Sequence, residues 1–411
     1  MKATLLFDLD DTLLENSMDL FLPPYLGSLS EHLKSYKPQV DVKKAVLEGT
    51  NLMIHNTDPS CTLEEIFDSH FYPSIGIKKD ELLPAIDFFY QSVYPKFAKN
   101  TKPVFEAQTL IGKLAEKSVN LVIATNPLFP MQATLQRLGW ADLGVTPQRF
   151  SLITSFEKFH FAKPNPAYYA EILAYLGWPE APIGMIGNDW EMDIVPPETI
   201  GIPTFFLGSA KYHNFVRHSE SRQGGWEELN HWINELFSAK STFELKVSKA
   251  SIIAILSSTA AYIDSLRRQY GSINFWKKRP EPTEWSLVEI ISHITDVDAE
   301  VNLPRLKLLR EQTNPFFAAI ETDQWADERH YIENNVYSQM EMFIANRKLL
   351  IDQFSSLSKH DFEKTIQHAI FGPTSVLEIF KFISQHDRIH INQIFKVLTA
   401  LNQSNNGGLL S

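Results

Sequence analysis

A chain of 411 residues, 44% hydrophobic and 21% charged, is globular in composition and longer than one ordinary core supports, so two or three domains are expected. A formal net charge of −11 argues against the clustered basic surface that a phosphate-backbone partner needs, and so against DNA or RNA. The single cysteine, Cys61, permits no intrachain disulfide, fits a reducing compartment and reads as a small buried hydrophobe.

Acidic residues Asp8, Asp10 and Asp11 stand where a signal peptide would be apolar, and no run approaches the ~18 apolar residues of a membrane span, so a cytoplasmic protein without membrane contact is expected. Short apolar runs ending in turn or polar residues recur through the first half: Ala3 to Phe7, Asn120 to Thr125, Phe150 to Thr154, Ile183 to Gly187 and Thr204 to Leu207. With helical stretches between them they predict an α/β, Rossmann-like parallel sheet, whose ligands sit at the carboxyl ends of the strands. The gap between the first two runs is far longer than the ~12 residues a crossover needs, which predicts an insertion. Leu63-Glu64-Glu65-Ile66-Phe67 and Ala85-Ile86-Asp87-Phe88-Phe89 read as helical within it, giving a helical cap over about residues 15–100 of a first domain, 1–237.

After Trp226-Glu227-Glu228-Leu229 the pattern changes, and residues 238–247 read as a linker. Four helical stripes follow: Ile252, Leu256, Ala260, Ile263, Leu266; Ile290, Ile294, Val297, Val301; Met340, Phe343, Leu350, Phe354, Leu357; and Ile379, Ile383, Ile394, Val397. An all-α four-helix bundle over 248–402 is the simplest way to bury them, with Pro304 to Asn335 as a long irregular connection and 403–411 as a flexible tail.

Four segments of the first domain carry groups suited to phosphoryl transfer, which needs an in-line nucleophile, charge neutralisation and a proton for the leaving oxygen. Asp8-x-Asp10-x-Thr12 ends the first strand with two carboxylates, although such a pair can also simply terminate a strand. Thr125-Asn126-Pro127 offers a hydroxyl and an amide to phosphoryl oxygens, or an ordinary turn. Lys163 precedes a rigid Pro-Asn-Pro turn that opens a helix and would aim its ammonium, unless it is a solvated surface lysine. Gly187-Asn188-Asp189-Trp190-Glu191-Met192-Asp193 ends another strand in carboxylates, hard oxygen ligands that suit Mg²⁺.

In order and spacing these four segments resemble the motifs of the haloacid dehalogenase superfamily, over roughly residues 1–237. The resemblance implies a hydrolase in which Asp8 is the nucleophile that forms an aspartyl-phosphate and Asp10 is general acid, then base, with its backbone carbonyl on the metal. It further implies that Thr125 and Asn126 hold the phosphate and Lys163 neutralises it. Asp189 would ligate Mg²⁺ with Asp8, and Asp193 would lie near the metal. The family's usual Gly-Asp reads Gly187-Asn188-Asp189 here. Alignment on Gly187 puts Asn188 at the metal, whereas the Asp189-to-Asp193 spacing, which is favoured, puts Asp189 there. Dehalogenases lack the second aspartate, so Asp10 points to a phosphatase acting on a small phosphorylated metabolite, and the helical insertion looks like the cap that selects it.

Ser375 and Glu378 form a capping-box pattern before a stripe that runs Ile379, Ile383, His386, His390, Ile394, Val397. Ser286-x-x-Glu289 does the same before the stripe Ile290, Ile294, Val297, which has His293 at its border. Three imidazoles could thus converge inside the bundle, as ligands of Zn²⁺, Ni²⁺ or Fe²⁺. Through Trp285-Ser286-x-x-Glu289-x-x-x-His293 and His386-Asp387-x-x-His390, residues 248–400 resemble the DinB/YfiT-like bundles, which implies that His293, His386 and His390 bind a second divalent metal. Some of those relatives are thiol-dependent transferases or hydrolases. Asp296 could be a fourth ligand, a partner of one, or an exposed helical aspartate. A bundle that serves only as a homodimerisation or partner-binding module, and a first domain that senses phosphorylated ligands without turnover, are the competing readings.

Overall fold

The N-terminal apolar run becomes a fully buried strand, because a parallel strand at the centre of a sheet has helices on both faces. The computed structural model describes residues 2–34, 36, 41–117, 119–144, 149–208, 222–238, 244–270 and 275–404. Its first unit holds β1 (Thr4–Phe7), a short pair β2 (Leu14–Glu15) and β3 (Lys102–Pro103), then β4 (Asn120–Ile123), β5 (Leu152–Ile153), β6 (Ile183–Gly187), β7 (Thr204–Leu207) and β8 (Arg222–Gly224). The sheet order is β5-β4-β1-β6-β7-β8, every pairing parallel. β8, the exposed strand at the edge, carries Arg-Gln-Gly and shows no apolar run from which to predict it.

The insertion after β1 is helical, as expected. It comprises α1 (Met18–Leu33), α2 (Val42–Ile54), α3 (Leu63–Ile75) and α4 (Lys79–Phe88), followed by tight turns to Asn100. Thr62 and Glu65 form a reciprocal capping box at the start of α3, and Gly76 ends it at a φ of 64°, a conformation glycine enters without a Cβ clash. The antiparallel β2–β3 pair closes the neck of the insertion, Leu14 opposite Pro103. Helices α5 (Phe105–Ala115), α6 (Met131–Trp140), α7 (Pro166–Tyr175), α8 (Val195–Thr199) and α9 (Trp226–Ser238) complete the sequence of elements. Two apolar clusters result, one beneath the sheet around Phe7, Ile123 and Ile186, the other inside the cap around Phe21, Tyr25 and Phe89. Cys61 is half-buried rather than buried.

The second unit contains residues 245–411 and, by its contacts, the short pieces 58–60 and 169–179. It consists of α10 (Lys249–Gln269), α11 (Leu287–Val297), α12 (Leu303–Glu311), β9 (Phe316–Phe317), α13 (Trp325–Glu328), α14 (Val336–Ser355), α15 (Lys359–Glu363), β10 (Thr365–His368), β11 (Gly372–Ser375) and α16 (Val376–Ser404). The four expected helices α10, α11, α14 and α16 pack on one another with their predicted stripes buried. Both capping boxes form.

Three details differ from expectation. The region from Pro304 to Asn335 is not all irregular: α12 starts at Leu303, and Pro304 sits in its first turn, where a missing N–H costs nothing. The bundle is not all helix, since β10 pairs antiparallel with β11 and parallel with β9; the run Thr365-Ile366-Gln367-His368 alternates exposed and buried. Helix α16 continues through the start of the expected tail to Ser404; residues 405–411 of that tail, and 239–243 of the expected linker, lie outside the described residues. No helix among the described residues is long and apolar enough to cross a membrane.

Candidate active site and candidate metal centre

Sheet register decides which residues meet. Phe7 pairs with Ile123 on one side and Ile186 on the other, so Asp8, Ala124-Thr125 and Gly187-Asn188 leave the sheet along one edge. Lys163, in the loop before α7, puts its Nζ 2.6 Å from Asp8 Oδ1 and 2.6 Å from Asp193 Oδ1, with all three side chains buried. Asp193 Oδ2 accepts the N–H groups of Asn188 and Asp189, each at 3.1 Å. That carboxylate lies so close to the strand end that a Cβ on Gly187 would stand 2.3 Å from Oδ2, so only glycine fits.

Asp10 is held separately. Its Oδ1 accepts from Asn16 Nδ2 at 2.6 Å, and its Oδ2 is ion-paired with Arg137 on α6. The Arg137 guanidinium is buried and lies 4.8 Å from the centre of the Phe129 ring. Thr125 is buried, and its carbonyl accepts from the Tyr168 and Thr154 hydroxyls at 2.7 and 2.8 Å. Asn126 Oδ1 accepts the Lys163 N–H at 3.2 Å. Burial raises the pKa of Asp8, Asp10 and Asp193; Lys163 opposes the rise at Asp8 and Asp193, and Arg137 opposes it at Asp10.

The structure therefore brings Asp8, Lys163 and Asp193 into direct contact, with Asn126 and Thr125 on the adjoining loop. It does not bring Asp189 with them. Asp189 is exposed, and its Oδ1 caps the turn Trp190–Ile194 by accepting from the N–H groups of Glu191 and Met192 at 2.9 and 3.0 Å. The neighbouring Asn188 is the residue whose side chain reaches the Asp8 loop, accepting from Thr12 Oγ1 at 2.9 Å. Among the described residues, Asp8, Asp10, Asp189 and Asp193 do not form a group of ligand atoms close enough to share one ion. The reason is visible in the pairing: Lys163 occupies an oxygen of both Asp8 and Asp193, while Arg137 and Asn16 occupy Asp10. Arg137 is the residue that sequence reasoning missed. Its signal was present, because Ala133, Thr134, Arg137 and Leu138 are the buried positions of α6 at helical spacing.

In the second unit the three predicted histidines converge. The His386 Nε2 lies 3.1 Å from His293 Nε2 and 3.1 Å from His390 Nε2. Three nitrogens each ~2.0–2.1 Å from one tetrahedral ion would stand about 3.3 Å apart, so the spacing fits a shared metal. His390 Nδ1 donates to Gln393 Oε1 at 3.0 Å, the tautomer that leaves Nε2 with a lone pair. Trp285 lies parallel to the His390 ring, 6.1 Å away. Burial lowers the pKa of all three imidazoles, that of His293 to about 3, so they are neutral at neutral pH.

Asp296 is no ligand in this arrangement. Its Oδ2 accepts from Arg329 and from the Tyr331 hydroxyl, each at 2.6 Å. A buried arginine again underlies the site: Arg347 Nη2 donates to Asp387 Oδ1 at 2.9 Å and Nε to Asp298 Oδ2 at 2.7 Å, fixing α16 between His386 and His390 against α14 and the end of α11. It too occupies an apolar stripe, between Phe343 and Leu350.

Residues 5–207 match the family model of haloacid dehalogenase-like hydrolases, and residues 259–394 match that of the DinB superfamily. Among solved structures, the chain is similar to a HAD phosphatase from Thermococcus onnurineus (14% identity over 57% of this chain and 98% of that one, TM-score 0.37). It is also similar to a 2-haloacid dehalogenase from Pseudomonas syringae pv. Tomato (20% identity, 57% and 99%, TM-score 0.40). A third similarity is to YfiT from Bacillus subtilis, a bundle of unusual topology (12% identity, 38% and 91%, TM-score 0.34). Comparison with curated proteins gives no match.

Two predictions follow from the buried charges. Arg137→Met strands the Asp10 carboxylate and is expected to cost about 3–5 kcal/mol in urea unfolding, whereas Asp10→Asn/Arg137→Met, which removes both charges, costs less; equal losses would show that the stranded carboxylate is not the source of the cost. In metal-free protein, the unfolded chain gains protons on these histidines as pH falls below the ordinary 6.5 while the folded chain does not. Stability conferred by the neutral imidazoles is thus full above pH 6.5 and declines below it, by up to about 1.4 kcal/mol per pH unit per imidazole. His386→Leu should flatten the difference between urea midpoints measured at pH 7.5 and 5.5 with a chelator present, and an unchanged difference would contradict the assignment.

Proposed function

For a chain that joins a haloacid dehalogenase-like hydrolase segment to a DinB-superfamily segment, we propose that the first is a Mg²⁺-dependent phosphatase acting on a small phosphomonoester and the second a histidine-held divalent-metal site. The observation that carries the phosphatase reading is the pair of differently held carboxylates at the end of β1: Asp8 against the Lys163 ammonium, and Asp10 against Arg137 and Asn16. In this reading an Asp8 oxygen attacks phosphorus in line, the bond to the leaving oxygen breaks, and Asp10 gives that oxygen its proton. Asp10 then takes a proton from water, the water oxygen attacks the aspartyl-phosphate, and inorganic phosphate leaves with Asp8 restored. Lys163 offsets phosphoryl charge, and Thr125 and Asn126 hold the phosphoryl oxygens. Mg²⁺ would be held by Asp8, the Asp10 carbonyl and the 188–193 segment, and would supply further charge neutralisation.

The convergent Nε2 atoms of His293, His386 and His390 support a site for Zn²⁺, Ni²⁺ or Fe²⁺ with a position open to water or a thiol. That arrangement suits a metal-assisted hydrolase or transferase.

With Mg²⁺ and a panel of phosphomonoesters, Asp8→Asn is expected to abolish phosphate release and Asp10→Ala to lower kcat by roughly 10² to 10⁴-fold. Full activity in Asp8→Asn, or halide release from 2-haloacids in place of phosphate release, would overturn the phosphatase reading. Elemental analysis of the full chain should find one transition metal that is lost in His386→Ala; a metal-free wild type would defeat the second site.

A further inference from the structure

The cap and the loops around residues 128–132 and 156–157 line a partly open cavity of about 450 Å³ whose walls are mostly apolar, among them Leu22, Leu26, Val46, Phe67, Phe129 and Phe156. Protein interiors pack to the density of organic crystals and seldom leave voids of this size. An apolar cavity of ~150 Å³ is enough to take up benzene, so this one exceeds the needs of a single ring. Two of its lining hydroxyls, those of Tyr25 and Tyr90, bond each other at 2.8 Å. Five charged residues stand in the lining: Lys79, Glu64 and Asp68 are partly exposed and pair with one another, the ammonium 2.7 and 2.6 Å from the two carboxylates, Glu157 accepts the Met131 N–H, and Asp87 is the fifth. Against the apolar part of the wall the hydroxyls of a sugar or other polyol would lose their hydrogen bonds to water, whereas an aliphatic chain or fused ring loses none.

The cavity adjoins the carboxylate site. Leu128, Phe129 and Pro130 continue directly from Thr125-Asn126-Pro127, and Phe129 is both a cavity wall and the ring against the Arg137 that pairs with Asp10. An occupant thus lies one side chain from that ion pair. We infer that the cavity receives the alcohol portion of the substrate, which is a phosphomonoester of an aliphatic or aromatic alcohol and not a sugar phosphate. The reaction part of this inference rests on the phosphatase reading; the ligand part rests on the cavity.

The test uses the full chain with Mg²⁺ and the n-alkyl phosphates from methyl to octyl, beside glucose 6-phosphate. KM is expected to fall by roughly two- to fourfold per added methylene. Val46→Phe and, independently, Ile86→Trp, which fill the cavity, should remove that dependence. Separately, the uncharged fluorophore N-phenyl-1-naphthylamine should bind at one saturable site, be displaced by octanol, bind Asp8→Asn as it binds wild type, and bind both filled variants at least tenfold more weakly. Turnover with KM indifferent to chain length, or no saturable fluorophore binding, overturns the cavity inference and leaves the phosphatase reading standing. Saturable binding without phosphate release from any ester overturns the phosphatase reading and leaves an apolar ligand site.

Discussion

One buried ammonium organises the first unit. Lys163 is buried, and a desolvated cation persists only where anions meet it, so Asp8 from the end of β1 and Asp193 from beyond β6 are drawn to the same nitrogen. Much of the local architecture follows from this demand. Asp193 can reach only because Gly187 lacks a Cβ, and its second oxygen then holds the main chain of Asn188 and Asp189. The Asp8 carboxylate is thereby held in place by a buried cation, and in the reaction proposed above that would be the preorganisation that catalysis by charge requires.

The same solution recurs in the second unit with different chemistry. Three neutral imidazoles can share the interior of a bundle without counter-charges, but the helix carrying two of them also bears Asp387, and that carboxylate needs a cation. Arg347 supplies it and ties in Asp298. In both units an arginine placed in the apolar stripe of a helix, Arg137 on α6 and Arg347 on α14, fixes a carboxylate that stands within a turn or two of a functional side chain.

The cap obeys a different constraint. Its helices bury Phe21, Tyr25, Phe71 and Phe89 against one another, and stiff rings meeting edge to face do not collapse to fill every gap. With β2 and β3 pinning the neck, the insertion keeps an apolar hollow beside the loops that hold the carboxylates.

The sequence by itself determined the strands of the sheet that alternate with helices, the helical insertion, the four long stripes of the bundle and both sets of chemically suited residues. These are local signals: runs of apolar residues, periods of 3.6, capping boxes and polar groups at strand ends. Pairwise choices were decided only by the tertiary structure. It turned Asp189 outward to cap its own turn and Asn188 toward Thr12, assigned Asp193 to Lys163, and paired the buried Arg137 and Arg347 with their carboxylates. The small β9–β10–β11 sheet was likewise invisible, since its strands are short: β10 and β11 form a hairpin around residues 369–371, and β9 joins β10 from a distant part of the chain. The physical reason is common to all of these. A helical period can place a charged side chain on an inward face, as it does Arg137 and Arg347, but which distant segment meets it there is recorded by no periodicity in the chain.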